Sequence, residues 1–260
     1  MKETKKTFLG YNSMDDEETK AFLDLTAPLP LSNTETIVQM LVDYKETRMV
    51  YNCALKEIQT KFDVLNMEYN VRYQRNPIKF IKTRLKSTSS LGIKLQKMGK
   101  AFTIDNIEEY INDLAGIRVI CSYVDDIYKL AETLINQDDI TLIKKKDYIA
   151  NPKSNGYRSL HLIVSVPVFF ANQKKQVKVE VQIRTIAMDF WASLEHQLEY
   201  KKEHADDSTI KAELKECSDI IADTDARMLA IRKKIETKEE VKSPQEKVIE
   251  KLHSLDVNME

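Results

Sequence analysis

Two acidic residues in this 260-residue chain lie in surroundings where a divalent cation and a polyphosphate could meet. Asp113 opens the run Asp113-Leu-Ala-Gly116-Ile-Arg118, and Glu180 opens Glu180-Val-Gln182-Ile-Arg184-Thr185. Mg²⁺ is satisfied by one or two carboxylates and completes its shell from water and substrate phosphates, so this pair placed across a sheet is sufficient. Each acid taken alone also reads as an ordinary exposed side chain. In the second run, however, Glu180, Gln182 and Arg184 share one face of a strand, which is harder to assign to solvent.

Cations for a triphosphate come from Arg84-Leu-Lys86-Ser-Thr-Ser-Ser90-Leu-Gly-Ile-Lys94, with Arg118 as a further phosphate or base contact. Arginine supplies a planar fork, lysine a point charge, and Ser90 reads as a cap on a helix end that itself favours anions. Taken alone, the plainer reading of this stretch is a solvated basic helix face. A turn rich in Pro, Ser, Asn and Gly runs from Asp147 to His161. In it Tyr157 offers a ring to a purine, and Lys153 and His161 offer cationic reach to phosphates. The same turn also fits a plain hairpin with Tyr157 folded onto the core. In the run Asp189 to Lys201, Trp191 and Leu194 read as packing residues and His196 as a structural histidine.

These residues need a frame, and the spacing of apolar residues predicts one. Residues 1–33, with Ala27-Pro-Leu-Pro-Leu-Ser32, read as a flexible lead-in. Apolar positions such as Ile37, Leu41, Tyr44, Val64 and Met67 then predict one long helix or two over residues 34–75. Asn76-Pro77 reads as a helix opening and Gly99 as a helix stop. Asp105 with Glu108 resembles a capping box for a helix running to Ala115. A buried strand from Ile117 to Ser122 follows, then a helix from Asp125 to Asn136. Strands come next over Thr141–Ile149, Ser159–Val166 and Gln176–Arg184. The last is the clearest, because Val177, Val179, Val181 and Ile183 alternate with polar residues. A helix from Ile186 to about Glu203 carries Phe190, Leu194 and Leu198 on one stripe, and Lys/Glu-rich helical sequence fills residues 204–260. The expected fold is α/β (α+β), a mixed sheet flanked by helices with helical extensions at both ends.

Composition narrows the function classes. The 40 basic and 41 acidic residues nearly cancel, which argues against bulk-charge capture of a polyanion. With 31% charged residues and no long apolar run, the sequence predicts a cytoplasmic protein without a membrane span or secretory signal. Three cysteines, Cys53, Cys121 and Cys217, lack CxxC spacing and read as reduced thiols.

Taken together, RxKxxxSxxxK (Arg84 to Lys94), DLAGIR (Asp113 to Arg118), YxxxH (Tyr157 to His161), EVQIRT (Glu180 to Thr185) and the WAxxEH helix resemble, in residues and in order, the synthetase domain of the RelA/SpoT family. The resemblance covers about Asn76 to Lys201 and implies a nucleotidyltransferase-like synthetase domain over residues 76–203. Long family members add an alarmone hydrolase domain with an adjacent His-Asp pair. This chain has no histidine before His161, so the resemblance is to a small, stand-alone alarmone synthetase without hydrolase activity.

What the resemblance implies is a Mg²⁺-dependent GTP pyrophosphokinase of the stringent response, with ATP as donor and GDP, GTP or GMP as acceptor. Arg84 and Arg118 would sandwich adenine, and Lys86, Ser90 and Lys94 would hold ATP phosphates. Asp113 and Glu180 would bind Mg²⁺, with Glu180 also the base, its motif holding no histidine to compete. Tyr157 would stack on guanine, with Lys153, Asn155, His161 and Gln182 near the acceptor's phosphates and sugar. The resemblance also implies a homotetramer assembled through residues 204–260, with single-stranded RNA and the alarmone (p)ppGpp as candidate regulators. The alternative is a nucleotide- or RNA-binding regulator on the same fold without activity, to which Lys144 to Lys146 would contribute a basic patch.

Overall fold

In the computed structural model, residues 15–26, 34–200 and 208–240 are described. The strand β5 (Lys174–Thr185) owes its place at the centre to its alternation: Val177, Val179, Val181 and Ile183 are buried, while Lys178, Glu180 and Gln182 are half-buried on the opposite face. On one side β5 runs parallel to β2 (Ala115–Cys121), with Gly116 opposite Glu180 and Arg118 opposite Gln182. On the other it pairs antiparallel with β4 (Leu160–Phe169), with His161 opposite Gln182. The edges are β1 (Ile78–Leu85), antiparallel to β2, and β3 (Thr141–Asp147), antiparallel to β4. The order is therefore β1-β2-β5-β4-β3. Five of the seven residues of β3 are charged or hydroxylic, which suits an edge strand that must not recruit another chain.

The apolar face of the sheet is covered by α2 (Thr34–Tyr73), a single 40-residue helix. It buries Tyr44, Thr47, Tyr51, Ala54, Ile58, Phe62 and Leu65, a stripe at three- and four-residue spacing. Val64 and Met67 lie off that stripe, 56% and 69% exposed, so the expected helix is present with Tyr44 on its inward face, but that face is one position out at the C-terminal end. Beside it packs α5 (Val124–Ile135), which buries Ile127, Leu130, Ala131 and Leu134.

Several boundaries differ from the sequence expectations. The lead-in contains a helix, α1 (Asp16–Thr26): Asp15 accepts from the Glu18 amide at 2.8 Å, three acids occupy the first turn, and Phe22 stacks on Tyr44 at 5.0 Å. The Ala27–Ser32 run lies outside the described residues. Asn76-Pro77 opens a strand and not a helix, because Ile78, Phe80, Ile81 and Thr83 form β1 against β2. The helix that follows, α3 (Thr88–Lys97), is capped by Ser87, whose hydroxyl accepts from the Ser90 amide, so Ser90 stands inside the first turn instead of capping it. Likewise α4 (Ile104–Tyr110) is capped by Thr103 and stops five residues short of Ala115.

At the far end, α6 (Ile186–Tyr200) follows β5 without a break, and α7 (Ser208–Glu240) packs against it. Trp191 is buried and donates its indole N–H to the Leu214 carbonyl at 2.8 Å. Leu194, expected to pack inward, is exposed together with Phe190 and Leu198. Among the described residues no helix is long and apolar enough to cross a membrane. Cys53, Cys121 and Cys217 are free thiols.

Candidate functional site

The polar face of β5 becomes a site because its neighbours present matching rows. Register places Lys82, Arg118, Gln182 and His161 in one row across β1, β2, β5 and β4, and Arg84, Gly116 and Glu180 in the next. The Arg84 stem lies over Gly116 of β2, where an added Cβ would make only ordinary contact with Arg84 Cγ at 3.8 Å.

Asp113 stands in the turn between α4 and β2, three residues before Gly116. One of its oxygens takes Lys86 Nζ at 2.9 Å, and the other takes Lys94 Nζ at 2.6 Å. Burial by itself would push this carboxyl up, but the two lysines outweigh it and hold it below the usual range. The predicted phosphate cations and the predicted metal acid thus converge on one spot, reached from β1, α3 and the β2 turn. Ser90 lies on α3 one turn before Lys94, in a hydroxyl group with Ser87 at 2.8 Å.

Glu180 is held from both sides. Gln182 Nε2 donates to Oε2 at 2.8 Å, and His161 Nδ1 lies 3.4 Å from Oε1. Burial raises its pKa, the His161 and Gln182 hydrogen bonds lower it further than that, and the net shift is downward. Asp113 is close enough for its charge to act on Glu180 in the raising sense. A histidine from outside the EVQIRT motif therefore stands beside the proposed base, because the β4–β5 register brings His161 to this face.

The loop before β4 folds over the same face. Tyr157 Oη is 2.8 Å from His161 Nε2 and also takes a short hydrogen bond from Arg184. The Tyr157 ring is flanked by the Tyr148 edge at 5.9 Å, the Arg184 guanidinium at 5.0 Å and Lys153 Nζ at 4.6 Å. Asn155 accepts from the Tyr157 amide and donates to Glu195 at 3.0 Å. Gly156, at φ +93°, gives its carbonyl to Ser218 of α7 at 2.5 Å.

Three residues of this constellation, Arg184, Asp189 and Glu195, have no role attached to them by the sequence. Arg184, 4% exposed, donates to Gln182 at 3.0 Å, Ser159 at 3.3 Å and Asp189 at 3.2 Å as well as to Tyr157. Asp189 also receives Arg118 Nη1 at 3.1 Å, so one carboxylate holds an arginine of β2 and an arginine of β5. Glu195 anchors the loop through Asn155. Arg184 and Glu195 do lie inside the quoted EVQIRT and WAxxEH motifs, so the signal was present without a role attached.

Among the described residues no group of three or more His, Cys, Asp or Glu could hold a metal ion. Two carboxylates beside a lysine cluster suit Mg²⁺, which shares its shell with substrate phosphates, better than a metal requiring an all-protein cage.

Known proteins resemble this chain in sequence and in fold. The family described as "Region found in RelA / SpoT proteins" matches residues 83–205. The chain is 42% identical over 208 residues to the GTP pyrophosphokinase YwaC of Bacillus subtilis, covering 80% of this chain and 99% of that one. The crystal structure of small alarmone synthetase 2 from Bacillus subtilis superposes with a TM-score of 0.67 at 45% identity, over 74% of this chain and 99% of that one. Small alarmone synthetase 1 from the same organism, bound to its product pppGpp, gives a TM-score of 0.67 at 34% identity, over 74% and 98%. With its motifs assembled on one sheet face and relatives of this closeness over nearly their full length, the chain belongs to the RelA/SpoT family.

Proposed function

We propose that the chain is a GTP pyrophosphokinase that transfers the β,γ-pyrophosphate of ATP to the ribose 3′-oxygen of GDP or GTP, and of GMP as a further acceptor. The observation that carries this reading is the position of Asp113 and Glu180 between the Lys86/Lys94 cluster and the Tyr157 loop. Donor phosphates, metal acids and an aromatic acceptor platform are thereby arranged in sequence across one face.

Lys86 and Lys94 take the ATP phosphates, exchanging Asp113 for phosphate oxygens, with Ser90 as a hydroxyl donor beside them. Arg84 and Arg118 bracket adenine, Arg118 being steadied by Asp189. Guanine stacks on Tyr157, which requires Lys153 to swing off the ring and so frees its ammonium for an acceptor phosphate. Asn155, His161 and Gln182 border the acceptor's sugar and phosphates.

Glu180 takes the proton of the 3′-hydroxyl as the O3′–Pβ bond forms, while the bond from Pβ to the bridging oxygen breaks and AMP leaves with that oxygen. Asp113 and Glu180 would hold Mg²⁺, which supplies charge neutralisation on the transferred phosphates. His161 and Gln182 keep the Glu180 carboxylate ionised, which suits a metal ligand and leaves it free to accept a proton, while the lowered pKa makes it the weaker base.

Self-association fits the exposed stripe of Phe190, Leu194 and Leu198 on α6 with Ile220, Met228, Ile231 and Ile235 on α7, and a tetramer is the proposed order. Single-stranded RNA and bound (p)ppGpp are proposed regulators on family grounds alone, as is a place in the stringent response in the cytoplasm. An inactive regulator would have little use for both acids in this arrangement.

Incubation of the purified protein with Mg²⁺, γ-labelled ATP and either GDP or GTP tests the reading. Label in a guanosine tetra- or pentaphosphate together with released AMP is expected; label in free phosphate or pyrophosphate, with the guanosine nucleotide unchanged, overturns it.

A further inference from the structure

We propose that α1 is a positioning clip for the ATP-binding turn: Glu18, acting with Arg48, fixes the backbone on both sides of Ser87 and so sets where Lys86 and Lys94 point. The proposal rests on the assignment of α3 to the ATP phosphates made above. α1 lies outside the region matched by the family, residues 83–205, so the family match assigns it no role.

Glu18 accepts from the Thr88 amide at 3.0 Å and, through a short hydrogen bond, from the Thr88 hydroxyl. Arg48 Nη1 lies 3.4 Å from the same carboxylate and donates to the Lys86 carbonyl at 3.1 Å. The peptide groups before and after the helix cap are thus tied to one ion pair, and the Tyr44 hydroxyl adds a contact to Thr88 at 2.9 Å. One turn further along α3, a Cβ on Gly92 would stand 2.4 Å from Leu25 Cδ2, so α1 approaches α3 at a distance that glycine permits.

A carboxylate at a helix N-terminus could instead be a plug that competes with phosphate. The helical geometry argues for the clip. At 100° per residue, Thr88, Leu91, Gly92 and Leu95 share one side of α3 and are buried, whereas Ser90 and Lys94 lie on the opposite side. α1 therefore grips the back of the helix whose front faces ATP. The two readings predict opposite signs.

Glu18→Ala and Glu18→Gln are assayed with ATP varied at saturating GTP, then the reverse, alongside Lys94→Ala. The clip predicts that Glu18→Ala raises KM for ATP about tenfold, the factor expected when one charge-assisted restraint is lost, with KM for GTP within about twofold. Glu18→Gln, which keeps an acceptor oxygen and the side-chain shape, shifts KM for ATP less and serves if the alanine variant folds poorly. Gly92→Ala is expected to raise KM for ATP, and Leu25→Ala in the same chain to restore it, which general destabilisation would not do. Unchanged or lower KM for ATP in both Glu18 variants, or an equal rise in both KM values, overturns the clip while Lys94→Ala still raises KM for ATP. If Lys94→Ala is silent toward ATP, the ATP-site assignment fails and the clip with it.

Discussion

Glu180→Gln isolates chemistry from shape. In the wild type Glu180 takes one hydrogen bond from Gln182 at 2.8 Å and faces His161 Nδ1 at 3.4 Å, with its side chain 17% exposed. A glutamine can keep the first contact with its carbonyl oxygen and offer its amide N–H to His161, so the number of buried unpaired groups need not rise. The stability change should therefore stay within about 1 kcal/mol, small beside the penalty for leaving a buried charge alone. Catalysis should not survive so well. Removing a general base costs about 10²- to 10⁴-fold, and losing one of two metal carboxylates adds to it, so kcat should fall by about 10³-fold or more. The assay is single-turnover transfer of γ-label from ATP to GTP, with a melting curve and GTP titration on the same preparation. Turnover within about tenfold of wild type, at unchanged melting temperature, would refute the assignment of Glu180 as base and ligand. The wild-type pH profile carries a second check. Because the folded Glu180 pKa is lowered, its protonation limb must lie below the ordinary glutamate value of 4.5, and a limb near neutrality belongs to another group.

Asp113→Asn is expected to raise the Mg²⁺ concentration for half-maximal activity about tenfold or more. Asp113 also has a lowered folded pKa, so its stabilising contribution is present above the unfolded value and lost as pH falls through the folded one. Melting followed below about pH 4 should accordingly decline less steeply in Asp113→Asn than in wild type, and an identical slope would count against the Lys86–Asp113–Lys94 cluster as a source of acid sensitivity. Tyr157→Ala should raise KM for the guanosine nucleotide about 10- to 100-fold by removing one stacking platform, with KM for ATP little changed, whereas Tyr157→Phe keeps the ring and should retain most of the affinity. Gly156→Ala combines a φ of +93° with a Cβ 2.7 Å from Ser218 Cβ, and should cost about 1–3 kcal/mol in a denaturant melt. An unchanged midpoint there would mean that α7 gives way at no cost.

How much of this was legible in the sequence depended on whether the signal was local. The β5 alternation could be read because burial on one face leaves a period of two, and its length came out within two residues at the start and one at the end. β1 was read as helix because it is an edge strand whose burial alternates weakly, and a basic run after Asn-Pro imitates a helix opening. The inward face of α2 was misplaced at its C-terminal end, where Val64 and Met67 are as apolar as the buried Leu65 and only the packing against the sheet distinguishes them. Among the site residues, the gathering of Lys86 and Lys94 on Asp113 could not be inferred from spacing, since it depends on how β1 and the β2 turn meet. The His161–Glu180 contact required the β4–β5 register, which no local pattern encodes.

Arg184 was the largest omission, and its environment explains both the omission and its importance. In sequence it is the last polar residue of an alternating strand and shares a face with Glu180 and Gln182, but neither the alternation nor the spacing attaches a partner to it. In the fold α6 continues directly from β5 and turns Asp189 back onto it, so that Arg184 is 4% exposed and burial pulls its pKa down, with Tyr157 and Asp189 acting in the opposite sense. A buried guanidinium of this kind is tolerated only when its donors are used, and here they reach Tyr157, Gln182, Ser159 and Asp189. The first two are proposed acceptor-side residues, and the last holds Arg118, which is proposed for the donor side. Replacing Arg184 by methionine should therefore impair both substrates together, unlike Tyr157→Ala on one side or Lys94→Ala on the other. If KM for ATP and for GTP moved independently in that variant, the two halves of the site would be held by separate supports, and the shared Asp189 carboxylate would be a contact without mechanical consequence.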